Sequence, residues 1–260
     1  MNCKICAHNS EKLFKEKILN KYDVQYFRCL NCEYIFTEEP YWFKEAYNQV
    51  INIYDTGILD RNIYFRKLVS SLIYFFFDKK SQFLDYAGGY GIFTRLMRDA
   101  GFNFYWTDPY CENILAKGFE YNPVNQNEIQ LLTAFEVLEH LIYPVDELEK
   151  MLKISRNIAF STELIPTPVP KPDEWWYFSF GHGQHISFYS KKTLQTLAEK
   201  FNLFFYNYGH LHLFTDKKLS DRFFKAIMSL NKFGLFSVIK KILKSKTMDD
   251  HFELKKRYNE

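Results

Sequence analysis

Residues 83–91 read Phe-Leu-Asp-Tyr-Ala-Gly-Gly-Tyr-Gly and run directly into Ile92-Phe93-Thr94-Arg95-Leu96-Met97-Arg98. An apolar strand that reaches an acid, turns through Gly88, Gly89 and Gly91 and re-enters as a helix is suited to cradle a ligand. Glycine has no Cβ and tolerates positive φ, so the backbone there approaches a ligand closely. The offsets do not fit Gly-x-Gly-x-x-Gly, and no Gly-Lys-Ser/Thr follows, which argues against a dinucleotide and a nucleoside triphosphate. Ala87 is expected to keep φ negative.

Two later segments fit the same cradle. Phe104-Tyr105-Trp106-Thr107 is a short aromatic and β-branched run that closes on Asp108, seventeen residues beyond Gly91. An acid near that spacing accepts ribose hydroxyls. Residues 129–135 read as a further strand, followed by Glu136-Val137-Leu138-Glu139-His140-Leu141. In this order the segments resemble those of the class I S-adenosylmethionine-dependent methyltransferases, whose first motif is Asp-x-Gly-x-Gly-x-Gly. Asp85, Gly89 and Gly91 match it, and Ala87 stands where the first glycine is usual. The resemblance implies an α/β fold: a Rossmann-like, seven-stranded, mostly parallel sheet with helices on both faces, its last strand antiparallel. It also implies S-adenosylmethionine as cofactor, contacted by Asp85, Ala87, Gly88, Gly89, Gly91, Asp108, Phe135 and Glu136.

Four of the five cysteines form Cys3-x-x-Cys6 and Cys29-x-x-Cys32. Each pair is a knuckle that turns two thiolates toward one ion, and two knuckles close a structural zinc site with no open position. His8 is a spare candidate ligand, and Cys111 is expected to be a packed free thiol. From Cys3 to Cys32 six basic residues face three acidic ones, weak footing for phosphate binding. The expected role of this ribbon is therefore to pack on the catalytic domain and help cover the substrate.

The chain divides into a zinc ribbon (1–40), a helical lid (41–80), a cofactor-binding domain (81–215) and a basic helical tail (216–260). Residues 41–54 look helical, Asp55-Thr56-Gly57 breaks them, and Asn62 is placed to cap a helix through Phe77. Helices are expected at 91–100, 111–117, 144–153 and 191–201. With 260 residues, 47% of them hydrophobic, and a net charge of +3, the chain has a full core and is no obvious polyanion binder. The start Met1-Asn2-Cys3-Lys4 lacks an apolar leader core, and 68–77 is too short to span a bilayer, so a cytoplasmic protein is expected. The tail from 216 to 246 carries nine basic and two acidic residues among interleaved apolar ones. It is expected to pack on the domain or on a second subunit, with peripheral contact to an anionic membrane as the alternative.

Methyl transfer needs an aligned, deprotonated acceptor. Gly181-His182-Gly183-Gln184-His185-Ile186-Ser187-Phe188-Tyr189-Ser190 resembles the Glu-His-x-x-x-Phe-Ser segment of zinc-containing sugar methyltransferases, where the histidine is the base. It maps onto His185, with Gln184 in place of the glutamate and Tyr189 in place of the phenylalanine. That departure favours O-methylation over C-methylation of a keto sugar. Separately, Glu136, Glu139 and His140 stand at i, i+3 and i+4, which on a helix is one face. They resemble the divalent-metal motif of some O-methyltransferases, with His182 or His185 to complete the shell. Tyr54, Arg61, Trp175, Trp176 and Tyr177 are the candidate acceptor contacts. The expected substrate is a sugar, sugar nucleotide or polysaccharide precursor. An RNA methyltransferase and a non-catalytic scaffold are the competing readings.

Overall fold

The computed structural model describes residues 1–48, 55–124 and 128–258. In chain order the strands and helices are β1 (Ser10–Ile18), β2 (Tyr22–Cys29), β3 (Ile35–Thr37), α1 (Phe43–Ala46), α2 (Ile58–Phe76), β4 (Gln82–Tyr86), α3 (Ile92–Asp99), β5 (Asn103–Thr107), β6 (Ile129–Ala134), α4 (Pro144–Ile154), β7 (Ile158–Ser161), β8 (Ser187–Phe188), α5 (Lys191–Lys200), β9 (Phe204–Tyr208), β10 (Leu211–Thr215), α6 (Asp221–Leu230), α7 (Leu235–Ile242) and α8 (Thr247–Arg257).

The main sheet runs β5-β4-β6-β7-β10-β9. Its β4, β5, β6 and β7 pair in parallel, and β10 is antiparallel to both neighbours. Neighbouring residues of its strands serve opposite faces, as the pleat requires. Leu84, Leu132, Phe160 and Phe214 pack with Leu148 and Met151 of α4 and Leu194 and Leu197 of α5. Phe83, Leu131, Ala159 and Leu213 pack with α2, α3, α6 and α7. Both faces being covered, the central strands are buried on both sides and rich in apolar residues.

The expected seven strands are six among the described residues. The missing edge strand is reduced to a parallel bridge between Trp106 and Glu120. The helix expected at 111–117 is absent because side chains compete for the backbone there. Asp108 accepts from the amides of Tyr110 and Cys111, Asn113 from that of Ala116, and Glu120 from that of Gly118. Within 41–54, only Phe43–Ala46 is helical among the described residues. Asn62 does not cap a helix either: α2 starts four residues earlier, at Ile58 after Gly57, and the Asn62 side chain donates to the carbonyl of Ile58.

The ribbon is not a free appendage. Its sheet runs β1-β2-β3-β8, so a strand from residues 187–188 completes it. Ile18, Tyr26, Trp42, Trp175, Phe178 and Phe188 fill the space between ribbon and domain.

The tail packs on the domain, as expected. Phe224, Ile227 and Met228 of α6 and Phe236 and Ile239 of α7 join the core around Leu68, Leu72 and Met97. Helix α8 is held by a buried ion pair: Arg98 donates to both oxygens of Asp250 at 2.6 and 2.8 Å, and Arg95 lies 2.8 Å from the same carboxylate. The Arg98 guanidinium also donates to the carbonyl of Phe104 and lies over the Phe119 ring at 3.5 Å. Burial raises the Asp250 pKa, but the hydrogen bonds and charge of Arg98 and Arg95 overcome this and leave it below the usual carboxylate value. Asp250→Ala should cost about 3–5 kcal/mol in urea unfolding, because it strands a buried cation. The stability from the depressed pKa should be fully present above about pH 4 and be lost as pH falls through the lower folded value, a dependence that Asp250→Ala should remove.

Candidate active site

The glycine turn joins the C-terminal end of β4 to α3, as Gly91 at φ 81° caps the helix. Its glycines are required largely by internal packing. A Cβ on Gly88 would sit 2.7 Å from the Asp85 carboxylate and from the Trp106 ring, and one on Gly91 would sit 2.7 Å from Asn113. Asp85 lies beneath the turn, buried, accepting from Thr94 of α3 at 2.9 Å and Thr133 of β6 at 3.1 Å. Burial pushes its pKa up to about 7 against those hydrogen bonds. It supports the cradle from below. Ala87 departs from expectation: its φ is +53°, the left-handed region in which a Cβ is strained.

Asp108 reaches the turn from the end of β5, accepting from Gly89 N–H at 2.9 Å. With the amides of Tyr110 and Cys111, three of its roughly four acceptor positions are taken, leaving room for one ribose hydroxyl rather than both. Trp106 Nε1 donates to the Gly89 carbonyl and fixes the loop from the other side. The glycine turn and the acid at its edge fit a nucleoside cofactor. Phe135, just past β6, stacks on Phe65 at 4.2 Å and meets Phe93 edge-on.

A second constellation lies beyond β6. Two chain segments are zipped together: Ile186 N–H donates to the Glu139 carbonyl (2.9 Å), Ser187 Oγ to Leu141 (2.6 Å) and Tyr189 Oη to Leu138 (2.7 Å). This brings Glu139, His140 and His185 together, with one ligand-capable atom of each within 4.8 Å of the others. His185 Nδ1 is 2.8 Å from the Tyr177 carbonyl, and His140 Nδ1 is 3.2 Å from that of Gln184. A carbonyl only accepts, so each Nδ1 holds the proton and each Nε2 is bare. Burial lowers the His140 pKa to about 4, and burial together with neighbouring His140 holds His185 well below its ordinary value. Both rings are neutral. Glu139 is fully buried, and neither carboxylate oxygen has a hydrogen-bond partner among the described residues. Burial and the Glu136 charge raise its pKa strongly. Two neutral imidazoles, each anchored through the other nitrogen, and an unsatisfied buried carboxylate fit a divalent transition ion better than magnesium.

The expected trio of Glu136, Glu139 and His140 on one helix face does not form. Only Leu138–His140 makes a short 3-10 turn, and Glu136 lies outside it at φ +54°. The Glu136 carboxylate accepts from Ser161 at 2.6 Å and faces Arg61 at 3.9 Å. Arg61 also pairs with Asp55 at 2.7 Å. His182 stacks edge-on against His185, centroids 4.9 Å apart. Its Nδ1 accepts from the Gln184 amide. Trp175 is a core residue between ribbon and domain rather than a pocket wall, whereas Trp176 is 74% exposed. Tyr177 is buried with its ring 4.6 Å from that of His185. Tyr54 lies outside the described residues. Two clefts, of 460 Å³ beside Lys80 and Gln130 and of 580 Å³ beside Lys21 and Lys44, contain none of these residues.

The four ribbon cysteines also converge, Cys3–Cys32 and Cys6–Cys29 each 3.5 Å apart, and none is in a disulfide. The two knuckles repeat one geometry. Ala7 and Glu33 follow them at φ 60° and 66° and donate back to the carbonyls of Cys3 and Cys29. The amides of Ile5 and Cys32 point at the sulfurs of Cys3 and Cys29. The set fits a tetrahedral ion of the zinc type. His8 is outside it, its ring directed to the Cys6 carbonyl.

The sequence pattern gave no sign of Tyr34, whose hydroxyl meets Ser187 at 2.5 Å, or of Thr193, which donates to the Cys32 carbonyl. These contacts fasten the ribbon to the segment carrying His185.

A parallel sheet with one antiparallel strand, a glycine turn and an acid at the next strand end define a class I methyltransferase fold. A sequence model of a methyltransferase domain matches residues 61–207, more than half of the chain, and the protein belongs to that family, the S-adenosylmethionine-dependent methyltransferases. No curated protein matches it significantly. Among solved structures it is similar to a SAM-dependent methyltransferase from Thermotoga maritima (12% identity, 68% of this chain and 100% of that one, TM-score 0.47). It is also similar to TnmH (14%, 68% and 60%, 0.46) and to human N-acetylserotonin methyltransferase (14%, 68% and 66%, 0.44). The chain spans 60% of TnmH, 52% of the mitomycin 7-O-methyltransferase MmcR and 43% of the bifunctional kinase-methyltransferase WbdD, under two thirds of each.

Gly88→Ala should destabilise the fold by about 1–3 kcal/mol, since its Cβ overpacks Asp85 and Trp106. Ala87→Gly should be neutral or stabilising by up to about 1 kcal/mol, because it relieves the left-handed strain. Thermal unfolding of the two variants checks both signs.

Proposed function

We propose that the chain O-methylates a small polyhydroxyl acceptor, a sugar or polysaccharide precursor, with His185 as the group that receives the hydroxyl proton. The observation that carries this reading is the His185 ring held through Nδ1 by the Tyr177 carbonyl, which leaves Nε2 bare, in a cluster with Glu139 and His140. S-adenosylmethionine, when bound, supplies an electrophilic methyl group. Asp108 and the glycine turn would hold it, while Tyr177 fixes the imidazole tautomer and Arg61 lies beside the site. The carboxylates of Asp55 and Glu136 face that arginine, and this negative rim disfavours a nucleic-acid backbone.

A second reading has its own support, the unpartnered Glu139 carboxylate. In it Glu139, His140 and His185 hold a divalent ion, which would polarise an acceptor hydroxyl. The ribbon cysteines are proposed to hold structural zinc, whose role is to keep β3 paired with β8 and so His185 in place.

Donor-dependent release of S-adenosylhomocysteine across a panel of sugars and sugar nucleotides tests the function. His185→Gln should lower kcat on the acceptor so found by about a hundredfold or more while leaving the affinity for S-adenosylmethionine unchanged. Activity that survives chelation supports the base, and activity that is lost and restored by manganese or zinc supports the ion. Absence of S-adenosylmethionine binding by calorimetry to the zinc-loaded protein sinks both. For the ribbon, Cys32→Ser should remove one zinc per chain by elemental analysis and destabilise the fold by several kcal/mol, on the order expected for a structural site.

A further inference from the structure

The tail helices bury one face and leave another that the domain does not cover. Phe223, Ala226, Leu230 and Phe233 recur at spacings of three and four along α6 and the turn that follows it, all exposed, Phe233 by 84%. On α7 Val238 and Ile242 stand one turn apart and are 55% and 58% exposed. Phe75 of α2, 39% exposed, lies beside Phe223 with ring centroids 6.5 Å apart. Helices α6 and α7 both lay their buried faces on α2, and the turn that carries Phe233 joins them. A run of large exposed apolar side chains on that scale exceeds what scattered surface residues explain.

The charge around it is mostly positive. Between residues 216 and 246 there are nine basic residues and two acidic ones, and Asp221 is already paired with Lys225 at 2.8 Å. Lys232, Lys240 and Lys241 are exposed, Lys232 next to Phe233, Lys241 next to Ile242, and Lys240 on the flank of α7 away from Val238 and Ile242. A second copy of this chain would bring lysines against lysines. An anionic lipid surface answers both properties at once, receiving the apolar side chains at the level of its headgroups and the lysines at its phosphates. No helix among the described residues is long and apolar enough to cross a membrane.

We propose that the outer face of α6 and α7 docks peripherally on an anionic membrane, centred on Phe233, Val238 and Ile242 and ringed by Lys232, Lys240 and Lys241. Phe236 packs under Arg66 of α2, so docking holds α2 close to the bilayer.

Co-sedimentation of the full chain with vesicles of phosphatidylcholine, with and without phosphatidylglycerol, tests this. Binding should require the anionic lipid and weaken with salt. Lys232→Glu/Lys240→Glu/Lys241→Glu should reduce it by about a hundredfold or more. Phe233→Ser, at a position too exposed to affect folding, should reduce it severalfold, and both variants should keep the parent melting temperature. Equal binding to neutral vesicles, no binding at all, or undiminished binding by the charge-reversed variant overturns the proposal. So does a dimer in solution, seen by analytical ultracentrifugation, that Phe233→Ser dissociates.

Discussion

Everything at the candidate site depends on two short segments lying side by side, 138–141 after β6 and 184–189 before α5. Hydrogen bonds from Ile186, Ser187 and Tyr189 to three carbonyls hold them together. The same strand pairs on its other edge with β3 of the ribbon, where Thr37 donates to the Ile186 carbonyl. The Nδ1 of His140 and that of His185 are each held by a backbone carbonyl, which is stiffer than a side-chain partner and fixes the tautomer. Moving the ribbon would move His185.

The cradle follows a related logic at the other side of β6. Asp85 ties α3 to β6 through Thr94 and Thr133, and Gly88 is small because that carboxylate and Trp106 occupy the space a side chain would need. Left-handed backbone at Ala87 and Glu136, both non-glycine, stores strain just after β4 and just after β6.

The tail has two faces with different jobs. Its inner face completes the core over α2, and the Arg98–Asp250 pair locks α8 across the edge of the sheet. A basic amphipathic sequence suited both packing and surface contact, and these are not alternatives: one stripe of each helix is used for packing and another remains outside.

The sequence by itself determined the parallel α/β alternation, the glycine turn, the strand-end acid at Asp108 and the two cysteine knuckles, because each is a local pattern whose spacing is fixed by backbone geometry. It also marked His182, His185, Glu139 and His140, and offered either histidine of the later segment to complete the shell of the earlier one. Only the tertiary structure decided that Glu139, His140 and His185 form one cluster, that Glu136 turns away to Ser161 and Arg61, that Trp175 is core, and that the ribbon borrows β8. It decided also that the edge strand at Glu120 shrinks to a bridge, where Asp108 and Asn113 divert the amides a helix would have used. Those outcomes turn on contacts between residues far apart in the chain, such as Tyr34 with Ser187 and Arg98 with Asp250, and no local periodicity encodes which distant partner completes a hydrogen bond.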